Sequence, residues 1–267
     1  MKFSVLIPTH ANGAVIRNAI ESVLSQTVGD FELFIVGDGA PAQTHAIMDE
    51  FVARDRRVRA FKFDKGARHG EAHRHIALSE ADADAVCYLS DDDFWFPDHL
   101  AAMRALLKSS DLAHTRQVDV LPWCAVSGHA RHLGEVETRE RMAHERFNCF
   151  GITVAGHRLD AYRRLAIGWS PAPADIWTDL HMWRKLLAAE DVRFGASPQV
   201  TALHFPRTIR NEQATSACYD EVTYWHGVFR EPAMREALRS MLPADAAPLP
   251  LFQVAAKARE LRAQAQR

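Results

Sequence analysis

The first hundred residues alternate short apolar runs with segments of helical periodicity, which restricts the chain to βαβ units built around a mostly parallel sheet. Residues 3–8 (FSVLIP) predict a buried strand. Ile16, Ala19, Ile20, Val23 and Leu24 follow at i, i+3, i+4, i+7 and i+8, so one face of a helix is apolar. Residues 31–36 (FELFIV) and 58–63 predict two more strands, with a helix over 44–53 between them that turns Ile47, Phe51 and Val52 inward. A helix over 69–80 leads to a fourth strand at 85–89 (AVCYL), which runs into Asp91, Asp92 and Asp93. Pro97 suits a first helical position and opens a helix through Leu107. The expected fold class is α/β, doubly wound.

Past residue 110 the alternation blurs. Residues 118–126, 147–154 and 200–205 predict strands, and 178–189 predicts a helix with Leu180, Trp183, Leu186 and Leu187 on one side. Residues 131–146 are charged and read as a solvated surface helix in preference to a loop that orders on binding. Beyond residue 216 the pattern is helical, and the Ala/Arg/Gln-rich stretch 255–267 carries no core pattern. There is no internal repeat and no linker composition.

Lys and Arg number 32 against 34 Asp and Glu, a formal charge of −2, so the basic excess that nucleic-acid binding needs is missing. No window approaches the ~20 consecutive apolar residues of a membrane helix, and MKFSVLIPTHANG lacks a signal-peptide pattern. A cytoplasmic location is expected, with peripheral membrane association left open. Cys87, Cys124, Cys149 and Cys218 are scattered without a C-x-x-C pair and read as reduced core thiols.

Ligands of open α/β sheets bind outside the carboxyl ends of the strands. Here those ends carry Pro8, Thr9 and His10, then Gly37, Asp38 and Gly39, then Ser90 and the three aspartates. Three adjacent carboxylates in a cleft repel one another, and a divalent cation with hard oxygen ligands, Mg2+ or Mn2+, relieves that repulsion. The alternative is an acidic helix start that interacts with the helix dipole and needs no metal. The turn PTHANGAV holds Gly13 alone, so the G-x-G-x-x-G dinucleotide turn is absent, as is the P-loop pattern.

The segments SVLIPTHANGAVIRNAIESVLSQT, FELFIVGDGA and YLSDDDFWFPDHL resemble the N-terminal half of the family 2 glycosyltransferases of the GT-A fold, and WTDLHMWRKL adds a weaker likeness. The resemblance implies a mostly parallel sheet flanked by helices, a mixed acceptor-side half and a helical C-terminus. It divides the chain into a nucleotide-sugar-binding half over 1–110, an acceptor and catalytic-base half over 111–215, and a helical segment over 216–267. It implies that Pro8, Thr9 and His10 line the nucleotide site, that Asp38 binds the base, most often uracil, and that Arg68 or Arg74 supplies a basic group. Against the family's D-x-D motif, Ser90 takes the place of the first acid, Asp91 the middle and Asp92 the second. Asp92 is thereby the leading metal ligand, with Asp91 near the ribose or the metal, Asp93 in support, and His204 at the metal or diphosphate.

Asp179, in T-D-L-H-M-W-R, is implied to be the base of an inverting transfer from a nucleoside-diphosphate sugar, UDP-sugar first, to a carbohydrate or other hydroxyl acceptor. Arg207 and Arg210 read as solvated. Trp95, Trp123, Trp177 and Trp183 read as core in preference to platforms for an acceptor sugar. The alternative functions are a metal-dependent phosphohydrolase or nucleotidyltransferase, and a nucleotide-sugar-binding module without turnover.

Overall fold

The computed structural model describes residues 1–128, 131–242 and 248–266. In the first half the strands are β1 (Phe3–Thr9), β2 (Phe31–Asp38), β3 (Val58–Phe63) and β4 (Ala85–Tyr88), joined by helices α1 (Ile16–Leu24), α2 (Ala42–Arg54) and α3 (Glu71–Ser79). All pair in parallel, in the spatial order β4-β1-β2-β3. The chain winds outward from β1 to β3 and then returns to the other side of β1. Such a reversal opens a crevice beyond the carboxyl ends of β1 and β4.

α1 buries Ile16, Ala19, Ile20 and Val23, as the spacing requires. α2 differs from expectation: Ile47 and Phe51 are buried, but Met48 and Thr44 complete the face and Val52 is exposed. At 3.6 residues per turn Val52 lies a further 100° around from Phe51, past the edge of the buried stripe. Pro97 precedes its helix, since α4 spans His99–Leu106 with Asp98 at its N-cap position.

The second half contains β5 (Phe94–Trp95), β6 (Leu112–Leu121), β7 (Ala125–Gly128), β8 (Ala155–Arg158), β9 (Phe194–His204) and β10 (Leu249–Pro250). Its helices are α5 (Val136–His144), α6 (Leu159–Arg163), α7 (Thr178–Leu187), α8 (Thr215–Phe229), α9 (Pro232–Met241) and α10 (Leu251–Ala265). The sheet continues antiparallel through β8, β6, β7 and β10, while β9 runs parallel to β6 and antiparallel to β5.

Three expectations are corrected here. The single strand over 118–126 is a β6–β7 hairpin, broken at Pro122, Trp123 and Cys124, where Cys124 adopts φ 57°. The strand over 147–154 is a loop ending in a 3-10 turn, Ile152–Val154, and pairing begins only at Ala155. The C-terminal stretch does join a core: α10 buries Leu251, Val254 and Ala258 in a second apolar cluster with Ala237 and Leu238 of α9 and Phe94 and Phe96. Alanines carry too little hydrophobicity to mark that face in sequence, yet their small size allows two helices to approach closely. α5 occupies the charged stretch, exposing Val136, Glu137, Glu140 and His144 while burying Thr138 and Met142.

All four cysteines are free, with Cys87 and Cys218 in the interior but Cys124 exposed on its turn and Cys149 half-buried. No helix among the described residues is long and apolar enough to cross a membrane.

Three histidines are locked neutral in the interior. His157 donates from Nδ1 to the carbonyl of Arg158 at 3.0 Å and accepts at Nε2 from Tyr88 at 2.7 Å. His114 donates from Nδ1 to the Thr115 carbonyl and accepts from the Leu133 amide. Burial pushes His157 and His114 down to about 4 and His99 to about 3. Because the unfolded chain binds these protons near pH 6.5 and the folded one does not, stability falls as pH drops from about 6.5 toward 4, by about 1.4 kcal/mol per pH unit for each imidazole. Urea melts at pH 7 and pH 4.5 check this: the native protein is expected to lose more stability between the two than His157→Gln, whose amide takes up no proton.

Candidate active site

The crevice beside β1 and β4 is a cavity of about 450 Å3. Pro8, Thr9 and His10 form its wall at the end of β1, and Asp38 enters from the end of β2. Arg68 and Arg74 face it from the start of α3, Asp91 from beyond β4, and Asp179 from the first turn of α7. The structure thus brings together eight residues that sequence reasoning singled out, from five separate segments.

Asp38 is nearly buried. Lys65 Nζ donates to its Oδ2 at 2.7 Å and the Gly66 amide to its Oδ1 at 2.6 Å, while His10 Nδ1 donates to its backbone carbonyl at 2.6 Å. Burial works to raise its carboxyl, but the bonds from Lys65 and Gly66 prevail and hold it below the usual carboxylate range. Gly70 packs against it at φ 70°, where an added Cβ would lie 2.6 Å from Asp38 Cγ.

The three aspartates differ in what they touch. Asp91 accepts from Thr9 Oγ1 at 2.6 Å and Asn12 Nδ2 at 2.7 Å. Burial, then the charge of Asp92, raises its carboxyl above the usual range. Asp92 accepts from Ser90 Oγ at 2.7 Å through Oδ1, and its Oδ2 has no hydrogen-bond partner among the described residues. Asp93 is wholly buried, with one oxygen bonded by Thr153 Oγ1 and the other by the Phe205 amide at 2.8 Å. Both of its oxygens are therefore taken, which places it behind the site as a strut.

His204, the last residue of β9, pairs through Nδ1 with Asp119 Oδ1 at 2.8 Å. Burial lowers its basicity, but Asp93 and the bond to Asp119 outweigh that and push it up to about 9. Among the described residues, no group of three or more His, Cys, Asp or Glu converges to hold a metal by itself. The donor set is still of the kind Mg2+ and Mn2+ use, one or two carboxylates completed by substrate phosphates and water. The spare oxygen of Asp92, beside the carboxyl of Asp91, suits a hard cation of this kind.

The two arginines separate clearly. Arg68 is exposed, with φ 54° and a bond to the Pro173 carbonyl. Arg74 is buried: Nη2 donates to the His69 carbonyl at 3.0 Å and the guanidinium lies 4.8 Å over the Trp169 ring, but Nε and Nη1 have no partner among the described residues. Burial lowers its basicity, as expected of a desolvated cation. Unspent N–H groups on a buried cation beside a cavity form a seat for an anion.

Glu71 was not singled out from the sequence. It is fully buried and accepts from Thr178 Oγ1 at 2.9 Å and the His69 amide at 3.0 Å, which ties the start of α3 to the residue before Asp179. An acid directly after Gly70, at the head of a helix, was its only signal. Lys65 and Asn12 carried no pattern at all.

Asp179 also lines a second cavity of about 660 Å3, together with His204, Asp119, Asn148, Gln117 and Trp177. Asn148 Nδ2 and the Leu180 amide donate to its two oxygens, at 2.9 and 2.8 Å. Burial nonetheless raises its carboxyl above the usual range, which makes it a better base than its place at a helix start suggested. Trp95 and Trp183 belong to the core, whereas Trp123 and Trp177 are exposed. Arg210 is not solvated as expected: it is buried on Glu221 and the Val120 carbonyl, and Arg207 bonds Cys218 Sγ.

The sequence model of the family described as glycosyl transferase family 2 matches residues 4–147, more than half of the chain. The chain belongs to that family. The succinoglycan biosynthesis protein ExoW of Rhizobium meliloti (strain 1021) is 33% identical over 104 residues, 37% of this chain and 32% of ExoW, so the likeness spans about a third of the relative. The fold is shared with S. aureus TarS 1–349 in complex with UDP-GlcNAc, at a TM-score of 0.57 and 19% identity over 90% of this chain and 70% of that one. It is shared also with the mannosyltransferase PcManGT from Pyrobaculum calidifontis in complex with GDP-Man and Mn2+, at 0.57 and 17% identity over 96% and 69%. The family match covers the strand-end residues from Pro8 to Asp93 and stops short of Asp179 and His204.

Gly70→Ala is expected to cost about 1–3 kcal/mol, since it forces both a positive φ and a contact with Asp38. Gly227→Ala, in α8 with nothing within 4 Å of its added Cβ, is expected to be neutral or stabilising. Denaturant melts of the two variants check the contrast.

Proposed function

We propose that this chain transfers a sugar, with inversion, from a nucleoside-diphosphate sugar to an acceptor hydroxyl. The observation that carries the reading is that the half-buried Asp179 lines both cavities, one bearing an anion seat and the other open to a second substrate. The family and the nucleotide-sugar complexes of its structural neighbours support a donor of this class, with a uridine nucleotide the first to try.

In this reading Pro8, Thr9 and His10 line the nucleoside pocket and Asp38 accepts hydrogen bonds from the base. The spare N–H groups of Arg74 take diphosphate oxygens. Asp92, with Asp91, would hold a Mg2+ or Mn2+ ion, which supplies charge stabilisation to the departing diphosphate when bound. The acceptor oxygen bonds to the anomeric carbon as the bond from that carbon to the diphosphate oxygen breaks. The acceptor proton passes to an Asp179 oxygen, and the nucleoside diphosphate leaves on the opposite face.

Asp179→Asn is expected to cut the rate of nucleoside-diphosphate release by about a thousandfold or more while donor Kd stays within about threefold. Calorimetric titration and single-turnover kinetics check this, and an unimpaired Asp179→Asn rate would overturn the assignment. Release of inorganic phosphate or pyrophosphate in place of nucleoside diphosphate would instead identify a phosphohydrolase or nucleotidyltransferase. Asp92→Ala, or chelation of divalent ions, is expected to weaken nucleoside-diphosphate binding by about tenfold or more and leave nucleoside binding unchanged.

A further inference from the structure

Asn148 lies one residue beyond the segment that matches the family and in a loop that sequence periodicity misread as a strand. Its side chain has two ends with different fates. Nδ2 is bonded to Asp179 Oδ2 at 2.9 Å, and Oδ1 is buried without a partner among the described residues. The orientation is chemically required, because an ionised carboxylate accepts hydrogen bonds and only the NH2 end can donate. The orphaned oxygen belongs to a residue that lines the 660 Å3 cavity.

Gln117, on β6, lines the same cavity, and its Oε1, beside Gly151, is likewise buried without a partner among the described residues. Buried amide oxygens without donors are costly, and a ligand that brings donors recovers that cost. Trp177, 45% exposed, adds a flat apolar wall to the cavity. Two waiting acceptors and an aromatic surface match a hydroxyl-rich molecule with an apolar ring face.

We propose that Asn148 is a positioning and specificity residue: its NH2 end orients Asp179, and its oxygen, with that of Gln117, receives hydroxyl groups of a polyhydroxylated acceptor adjacent to the one that reacts. The inference rests on the transfer reading above and names the acceptor class for the same site. A pyranose ring suits the Trp177 wall, and an open-chain alditol offers the same hydroxyl donors without a ring face. The other charged groups facing Asp179 are Arg74 from α3 and His204 from β9, both of which favour its ionised form. Glu71 stands behind Thr178, His181 follows on α7, and Asp119 holds His204. None of these changes when Asn148 is replaced.

The test needs no known acceptor. Nucleotide release to water is followed from pH 4.5 to 8.5 with UDP-glucose, UDP-GlcNAc and GDP-mannose in turn, for the native protein, Asn148→Ala and the isosteric Asn148→Asp. Loss of the donor is expected to move the acid limb of the rate profile upward by about half a pH unit in Asn148→Ala, and a facing carboxylate moves it further in Asn148→Asp. Donor affinity stays unchanged in both. With methyl pyranosides or with alditols as acceptors, Asn148→Ala and Gln117→Ala are expected to raise acceptor KM by about three- to tenfold. A preference for pyranosides over alditols that Trp177→Ala abolishes assigns the ring.

An acid limb in folded Asn148→Asp that superimposes on the native one would overturn the positioning role, and an unchanged acceptor KM would overturn the specificity role. A native protein that binds nucleotide but releases it from none of the three donors would overturn the transfer reading itself, and this inference with it.

Discussion

Two carboxylates buried just past the end of β4 hold the halves of the molecule against each other. Asp91 is bonded by Thr9 and Asn12 at the exit of β1, and Asp93 by Thr153 ahead of β8 and by the Phe205 amide just after β9. A buried carboxylate oxygen left without a donor costs more than an ordinary lost hydrogen bond, so these four donors are held to their places by the acids they serve. The donor-side crevice, the 3-10 turn before β8 and the end of β9 that carries His204 therefore share one anchor. Asp92, between the two struts, is the member of the run with an oxygen to spare. Identical residues in sequence thus differ in which of their oxygens are already spoken for.

A second buried charge sets the other side of the site. Arg74 is held inside by the Trp169 face and by Glu71, one turn before it on α3, and Glu71 in turn holds Thr178. The loop that delivers Asp179 is in this way fastened to the helix that presents the arginine. Arg74 and Asp179 are thereby held in a constant relation to each other, as the proposed transfer requires, because catalytic groups act only when their geometry is held before the substrate arrives. The cost is a guanidinium with two nitrogens, Nε and Nη1, unpaired among the described residues, a local instability.

What was legible in the sequence follows the range of the interactions involved. The four parallel strands and the three helices between them announce themselves because each buries a face whose period, two or 3.6, is written within a dozen residues. The strand-end residues were legible for a related reason: the alternating βα order places every carboxyl end on one edge, so Thr9, Asp38 and Asp91 had to approach one another. The second half was harder. A hairpin turn at Pro122, Trp123 and Cys124 interrupts an apolar run without a glycine, and residues 147–154 alternate like a strand while serving as a loop. α10 packs through Leu251, Val254 and Ala258, too faint a stripe for periodicity to register.

By itself, then, the sequence determined the fold class, the edge of the sheet on which the crevice lies, and the strand-end residues that gather there, because local periodicity and chain direction suffice for all three. Only the tertiary structure buried Arg74 and left Arg68 exposed, separated Asp92 from Asp93 in what each touches, turned the expected solvated Arg210 into a buried ion pair, and brought Asn148 and Gln117 to the cavity beside Asp179. Those outcomes depend on which donor meets which acceptor across 31 residues between Asn148 and Asp179, or 112 between Asp93 and Phe205. Burial and hydrogen-bond satisfaction are properties of the assembled core, and no window of sequence contains them.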